Sequence, residues 1–207
     1  DEATDAPSRG YIIGVDEREP TWLAPWGALR QTLKEVNKIS TLWLMAKYTK
    51  AEVLTGLEGT PEKFRELSVQ GCSVLHLATH GFFETVKTKG NIPGLQGAFR
   101  PMDLAGIVMS NGNEGWFHGN NLHHEGLLTA TDIAKMDLGK SKLVVLSACY
   151  TGDGAVRSDG VFGLQRAFKK AGASCLVMSL WTESDEAGAK FMSAFYEHLL
   201  LEKLDKN

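Results

Sequence analysis

The chain has 207 residues, of which 43% are hydrophobic and 23% are charged, and its formal net charge is −3 at pH 7. This length is typical of one large domain or two small ones, and this composition excludes a chain that is disordered over most of its length. The slight acidic excess argues against a nucleic-acid-binding protein, because such proteins usually carry a clear basic excess.

The cysteine content indicates a reducing compartment. Cys72, Cys149 and Cys175 are too few for a disulfide framework, and no pair has the CxxC spacing of a zinc site, so we expect a cytoplasmic environment. The longest apolar runs are far below the roughly 18 residues of a membrane span, so no membrane partner is expected. The acidic start without Met predicts a piece of a longer protein, with a polar tail or linker over residues 1–9 and a domain over 10–207.

The first half of the chain predicts strands that alternate with helices. Helical apolar spacing at Leu29, Leu33 and Val36 predicts a helix over Leu29–Leu44, and Thr60 is expected to cap a second, shorter helix. The strands predicted in this half are Tyr11–Val15, Glu52–Leu54 and Val74–Thr79.

The second half continues this alternation. A helix is expected to be capped by Ser158 or Asp159 and to end at Gly172, and the last helix is expected to be capped by Thr182 or Ser184. The strands predicted in this half are Lys142–Ala148 and Ser174–Leu180. The alternation predicts an α/β domain with a mainly parallel sheet.

One long segment, Gly81–Gly126, is rich in Gly and Asn and is expected to be irregular and either functional or mobile. In an open α/β sheet, ligands bind beyond the carboxyl ends of the strands. The candidate positions are therefore those that directly follow Val15, Thr79, Ala148 and Leu180.

Two of these strand ends carry reactive side chains. His80 follows one buried strand and Cys149 follows another, and a cysteine beside an imidazole forms a nucleophile with its base. The N–H groups of Gly81 and Cys149 are candidates for holding a developing oxyanion. Spacing alone leaves the alternative open, because a single Cys near a strand end is more often a small buried residue.

Five segments in chain order resemble the CHAT domain, a family of caspase-like (clan CD) cysteine peptidases related to separase. The segments are VLHLATHGFF, GLLTATDIAKMDL, KLVVLSACYTGDG, SDGVFGLQRAFKKAGA and CLVMSLWTESDEAGAKFMSAFYEHL. The resemblance extends from about Tyr11 to about Leu200 and is strongest to CHAT domains of Bacteroidetes-type bacteria. It implies a caspase-like three-layer sandwich, in which helices flank a mainly parallel central sheet.

The resemblance also implies roles for particular positions. His80 and Cys149 match the catalytic dyad of an endopeptidase, and Gly81 matches a glycine of the oxyanion hole. Asp185 falls on an acidic position in the pocket for the residue before the scissile bond, which implies a preference for Lys or Arg. The other positions assigned to substrate binding are Trp181, Ser147 and Asp159. Such peptidases use no metal and no organic cofactor.

The resemblance further implies a monomer that acts on a protein or peptide substrate and is gated by a repeat module, such as tetratricopeptide repeats, or by a partner. The sequence departs from the family around the substrate pocket. Tyr150 stands where Glu is usual, and Glu183 stands where a small apolar residue is usual. These departures affect the expected specificity more than the expected chemistry.

Two other functions stay open on the sequence. A catalytically silent pseudo-peptidase would act as a binding or scaffold domain, and Cys149→Ala would then leave its binding function unchanged. A Cys-dependent hydrolase or acyltransferase for small molecules would use the same dyad and would turn over thioesters or small amides without dependence on peptide length.

Several residues also have simpler interpretations. His76 is expected to be a structural core histidine with a backbone partner, and Cys72 and Cys175 are expected to be packing residues. The segment Trp22–Trp26 is expected to face substrate or a missing partner domain. A cluster of histidines and a glutamate in a loop is a further candidate metal site, although loop residues of this kind are usually solvated surface groups. Its members are His118, His123, His124 and Glu125.

Overall fold

A computed structural model describes residues 10–14, 26–27, 29–48, 51–83, 101–114, 126–148, 158–179 and 184–201. Within this part of the chain, five strands form one parallel sheet in the order β2-β1-β3-β7-β8. These strands are β1 (Gly10–Gly14), β2 (Glu52–Thr55), β3 (Val74–Ala78), β7 (Leu143–Ser147) and β8 (Leu176–Met178). The prediction of an α/β domain with a mainly parallel central sheet is confirmed.

Helices cover both faces of this sheet, as a parallel sheet requires. The helices are α1 (Thr32–Met45), α2 (Pro61–Gln70), α3 (Ala130–Ile133), α4 (Ser158–Lys170) and α5 (Asp185–Leu201). On one face, α1 and α5 form a core with Ile12 and Val145 of the sheet. On the other face, α2, α3 and α4 form a larger core with Leu77 and Leu146. The layers are those of a caspase-like three-layer sandwich. Among the described residues, none of the helices is both long and apolar enough to cross a bilayer.

A second, antiparallel sheet lies next to the end of β3. It contains β4 (Gly81–Phe83), β5 (Ala105–Val108) and β6 (Leu127–Thr129), in that order. The expectation that Gly81–Gly126 is irregular is therefore wrong for its described parts, and residues 84–100 and 115–125 lie outside the description. These strands have only three or four residues each, which is too short for a visible alternation of apolar and polar positions.

Gly106 shows how closely this second sheet is packed. A Cβ on Gly106 would lie 2.2 Å from the carbonyl oxygen of Leu128 and 2.4 Å from the ring of Phe82. Only glycine permits so close an approach of backbone and ring. The ring of Phe82 therefore lies against the backbone of β5 at Gly106, its partner in the β4–β5 register.

The ends of several helices agree with the sequence. The Thr60 side chain accepts a hydrogen bond from the amide of Lys63 at 3.1 Å, and the Ser184 side chain accepts one from the amide of Ala187 at 3.2 Å. Both are N-caps, as predicted. Gly172, with a φ of +102°, follows the end of α4 as expected.

The first helix differs from its prediction. It begins at Thr32 rather than Leu29, and Leu33, which was expected on the apolar face, is 45% exposed. Thr32 and Glu35 are buried instead, next to Val36. The apolar spacing failed because two polar side chains occupy the buried face, where Glu35 bonds to a buried histidine.

Candidate active site

The carboxyl ends of β3 and β7 lie side by side. The register pairs Ala78 with Ser147, and these positions are two residues before His80 and Cys149 in the sequence. The amide of Thr79 donates to the carbonyl oxygen of Ser147 at 3.1 Å, so the pairing continues one residue past β3. Because β3 and β7 are parallel neighbours, the chain leaves both strands at the same edge of the sheet, while Cys149 itself lies outside the described residues.

His80 is held by the backbone. Its Nε2 lies 2.6 Å from the carbonyl oxygen of Gly27, and because a carbonyl only accepts, Nε2 must carry the hydrogen. The ring is 6% exposed. Its Nδ1 is buried and has no hydrogen-bond partner among the described residues. The hydrogen bond therefore assigns the tautomer in which Nδ1 offers a lone pair.

The protonation of His80 follows from its surroundings. Burial lowers the pKa of the imidazole, while the hydrogen bond to Gly27 and the negative charge of Asp185 oppose this shift more weakly. A histidine whose pKa lies below its ordinary value is neutral at pH 7. The ring is thus in the form that accepts a proton.

The amide of Gly81 points away from its neighbouring strand. The amide of Val108 donates to the carbonyl oxygen of His80 at 2.9 Å, so His80 and Val108 form a hydrogen-bonded pair. Pairs alternate along an antiparallel ladder, so the next pair, Gly81 with Ile107, is a non-hydrogen-bonded one. The N–H of Gly81 therefore faces the side away from β5.

Thr79 ties the two sheets together beside the imidazole. Its hydroxyl donates to the carbonyl oxygen of Val108 on β5, and its amide bonds to β7 as described. The residue before His80 is consequently fixed to one strand of each sheet. This arrangement sets the backbone of His80 with little freedom to rotate.

A cavity of about 150 Å³ opens at this edge of the sheet. Apolar, polar and acidic side chains share its wall. The lining residues include Leu29, Thr32, Glu35, His80, Ser147, Asp185, Gly188 and Met192. The cavity thus combines aliphatic walls with two carboxyl groups, beside the imidazole.

Two of the four residues predicted to bind substrate lie at the cavity. Ser147 and Asp185 line the cavity with His80. Asp185 is the first residue of α5, and its Oδ2 accepts a hydrogen bond from the amide of Gln31 at 2.8 Å. Trp181 lies outside the described residues, and of Asp159 only the backbone in α4 is described.

A buried polar trio adjoins the cavity through Glu35, and the sequence indicated only one of its members, His76. His76 is fully buried as expected, but its partners are side chains rather than backbone. Its Nε2 is 2.9 Å from Oε1 of Glu35, and the Tyr196 hydroxyl is 3.2 Å from its Nδ1. Burial, and secondarily the charge of Glu35, raises the pKa of Tyr196 well above its ordinary value, so the hydroxyl stays protonated and donates to Nδ1.

Two further expectations need correction. Trp26 is 3% exposed and packs against Phe82 with ring centroids 6.3 Å apart, so it faces the second sheet rather than a substrate, and Trp22 lies outside the described residues. Cys72 is buried as expected, but Cys175 is exposed. Trp26 forms a small buried cluster with Phe82, Val108 and Leu127.

Metal ligands are not grouped in the described part of the chain, where no three His, Cys, Asp or Glu side chains are placed to hold an ion. The loop cluster considered from the sequence, residues 118–125, lies outside that part.

Comparisons with known proteins give the family. The model of the CHAT domain matches residues 3–206. Tetratricopeptide repeat protein 28 of Mus musculus is 31% identical over 195 residues, covering 86% of this chain and 7% of the relative. The protein of the same name from Homo sapiens is 45% identical over 76 residues, covering 37% of this chain and 3% of the relative. The chain thus spans only a small fraction of these relatives.

Among solved structures, a flavodoxin from Streptococcus pneumonia TIGR4 superposes with a TM-score of 0.41 at 15% identity, covering 95% of this chain and 99% of that one. A likeness at this level supports no conclusion about fold or function. The family match covers nearly the whole chain and agrees with the three-layer fold. The chain therefore belongs to the CHAT domain family, of the caspase-like kind.

Proposed function

We propose that the chain is a cysteine endopeptidase in which Cys149 is the nucleophile and His80 is its base. One observation carries this proposal: the buried ring of His80 donates from Nε2 to Gly27 and leaves Nδ1 free of partners among the described residues. A purely structural histidine is normally satisfied at both nitrogens, as His76 is. An unsatisfied buried nitrogen two residues past a strand end is better explained as a base awaiting a thiol.

The proposed reaction has an acylation step and a deacylation step, and both use Cys149 and His80. The thiol proton of Cys149 passes to Nδ1 of His80, and the sulfur attacks the carbonyl carbon of the peptide bond. The oxyanion is held by the N–H groups of Gly81 and Cys149. The imidazolium then protonates the leaving amine, which gives a thioester, and water hydrolyses this thioester with His80 again as the base. The carbonyl of Gly27 stabilises the imidazolium by accepting its Nε2–H.

The cavity supports a preference for Lys or Arg before the scissile bond. Leu29 and Met192 provide aliphatic walls for the stem of such a side chain. Asp185 and Glu35 provide the negative charge for its head group. We assign Asp185 as the principal anchor because it is partly exposed, whereas Glu35 is 3% exposed and is already bonded to His76.

Regulation by a repeat module or a partner protein is also part of the proposal. It is supported by the name of the curated relatives, tetratricopeptide repeat protein 28, of which this chain matches 7% or less. A gated domain would cleave differently alone and within a longer protein. Equal cleavage by the chain and by a longer protein without any partner would contradict gating.

The test is cleavage of a fluorogenic peptide library that varies the residue before the scissile bond, with Cys149→Ala as the twin. We expect cleavage after Lys or Arg that the twin lacks. Cleavage after another residue would retain the dyad and overturn the assignment of Asp185. Equal residual cleavage by both proteins would overturn the peptidase and favour the scaffold alternative, to which Tyr150 and Glu183 already point as departures from the family.

A further inference from the structure

The carbonyl oxygen of Gly27 binds Nε2 of His80, and its position depends on how the backbone before Gly27 is held. The preceding residue, Trp26, is fixed from two sides. Its ring packs on Phe82, which lies two residues after His80 on β4. Its backbone is bound by the side chain of Asn113.

The amide of Asn113 makes two hydrogen bonds to the same residue. The amide N–H of Trp26 donates to Oδ1 of Asn113 at 3.3 Å, and Nδ2 of Asn113 donates to the carbonyl oxygen of Trp26 at 3.0 Å. Both functions of the side-chain amide are therefore used on one backbone unit. This pairing imitates a strand ladder and fixes the plane of the peptide that leads into Gly27.

Asn113 is itself presented by a tightly held turn after β5. The amide of Met109 donates to Gly126 at 2.6 Å, and the amide of Ser110 donates to Gly59 at 3.0 Å. Gly126, with a φ of +74°, approaches so closely that a Cβ would lie 2.1 Å from the nitrogen of Gly112. A turn fixed at these points has little freedom, so Asn113 is a rigid support for the segment that it binds.

We propose that Asn113 is a positioning residue, which holds Trp26 so that the carbonyl of Gly27 orients the ring of His80. This inference rests on the proposed function for its catalytic consequence, although the geometry that it describes exists without catalysis. Asn113 touches neither the substrate nor the reacting atoms. Its effect passes through Trp26 and Gly27 to Nε2 of His80.

The test compares Asn113→Ala with Asn37→Ala, the same change at an exposed position on α1. Exchange of the Nε2–H of His80 with solvent is followed by NMR on chain labelled with ¹⁵N-histidine, with His80→Gln for assignment. We expect exchange at least tenfold faster in Asn113→Ala and unchanged in Asn37→Ala. We also expect kcat to fall about 10- to 100-fold with little change in KM, because the variant misplaces the base and leaves the groups that bind substrate in position.

Two further variants separate positioning from general loss of stability. Ile133→Val removes a methylene from the core of α3, so it destabilises the chain without touching this segment, and it is expected to leave the Nε2–H exchange and kcat near wild type. Asn113→Asp keeps the acceptor for Trp26 and loses the donor, and it replaces Asn113→Ala if that variant does not fold.

The outcomes are distinct. A folded Asn113 variant with wild-type exchange, or with faster exchange and undiminished kcat, would overturn the inference. If neither the wild-type chain nor a longer protein that carries the regulatory module cleaves any peptide, the proposed peptidase fails, and the exchange rates alone still decide whether Asn113 positions the ring.

Discussion

Asp185 binds the backbone amide of Gln31 through Oδ2 at 2.8 Å and so links the start of α5 to the start of α1. The same carboxyl lies on the wall of the cavity, and its negative charge partly opposes the lowering of the pKa of His80 that burial causes. One side chain therefore joins two helices, faces the cavity and acts on the proposed base.

Asp185→Asn tests the charge of this side chain while its remaining oxygen still accepts from Gln31. A charge-assisted hydrogen bond contributes about 1.5–3 kcal/mol, so we expect the preference for Lys or Arg over a neutral residue to fall about 10- to 100-fold. The ratio of kcat/KM values for matched peptides measures this preference. Asp137→Asn removes the same charge in the loop before β7, at the opposite edge of the sheet, and should leave the ratio unchanged. An unaltered ratio in Asp185→Asn would exclude it as the anchor.

Acid should destabilise the fold through His80. The unfolded imidazole titrates near its ordinary pKa of about 6.5, while burial holds the pKa of the folded group lower. Below pH 6.5 the unfolded chain takes up a proton that the folded chain does not. The contribution of His80 is thus complete above pH 6.5 and is lost as the pH falls through the folded pKa.

The measurement is urea unfolding at pH 7.5 and at pH 5.5 in a Cys149→Ala background, which removes the thiol from the titration. Adding His80→Gln to this background should reduce the loss of unfolding free energy between the two pH values. Equal losses with and without His80 would show that its folded pKa is not lowered.

Tyr196→Phe tests the buried trio. Removal of the hydroxyl leaves Nδ1 of His76 without its partner in a fully buried site, which costs about 1–3 kcal/mol. Denaturant unfolding should show this loss. Tyr48→Phe, at a half-buried tyrosine that packs on Trp43, should stay within about 0.5 kcal/mol of wild type. A Tyr196→Phe protein as stable as wild type would mean that His76 finds another partner.

Gly188 is a position on α5 from which a larger side chain would extend into the cavity. A Cβ on Gly188 would have no neighbouring atom of the described residues within 4 Å, and the residue lines the cavity. Gly188→Ala should therefore raise the free energy of unfolding by about 0.5–1 kcal/mol, because glycine is unfavourable inside a helix. Gly188→Leu should fill the cavity and lower kcat/KM roughly tenfold or more.

Ala187→Leu is the matched control, since Ala187 is exposed and adjacent in the same helix. It should leave kcat/KM unchanged. If Gly188→Leu cleaves as well as Ala187→Leu, substrate does not enter this cavity.

The sequence predicted the central sheet well because its inner strands, β1, β3 and β7, are largely buried and appear as apolar runs. The runs also predicted that one strand ends just before His80 and another just before Cys149. That these two strands are neighbours is a property of the sheet order, which the runs do not contain. The N-caps at Thr60 and Ser184 were predictable because the capping hydrogen bond is made by the hydroxyl side chain, whose identity is read directly from the sequence.

The rest was not predictable from side-chain patterns. The carbonyl of Gly27 that holds His80 is a backbone group, which every residue possesses. The pairing of β5 with β4 joins residues more than 20 positions apart along strands of three or four residues. Glu35 has a polar side chain on a buried helix face, and its burial depends on His76, which is 41 residues away.

If His80 activates Cys149, the Cys149 thiol reacts faster with an electrophile than an ordinary cysteine does, and site-resolved alkylation measures this difference. The chain contains its own references, because Cys175 is exposed and Cys72 is buried beside the Ser141 hydroxyl. Peptide mapping by mass spectrometry, after brief treatment with a peptidyl chloromethyl ketone that carries Arg, measures the rate at each cysteine. We expect Cys149 to react about tenfold faster than Cys175, or more, and His80→Ala to abolish this advantage. Faster reaction at Cys175, or an undiminished rate at Cys149 in His80→Ala, would contradict the activation of Cys149 by His80.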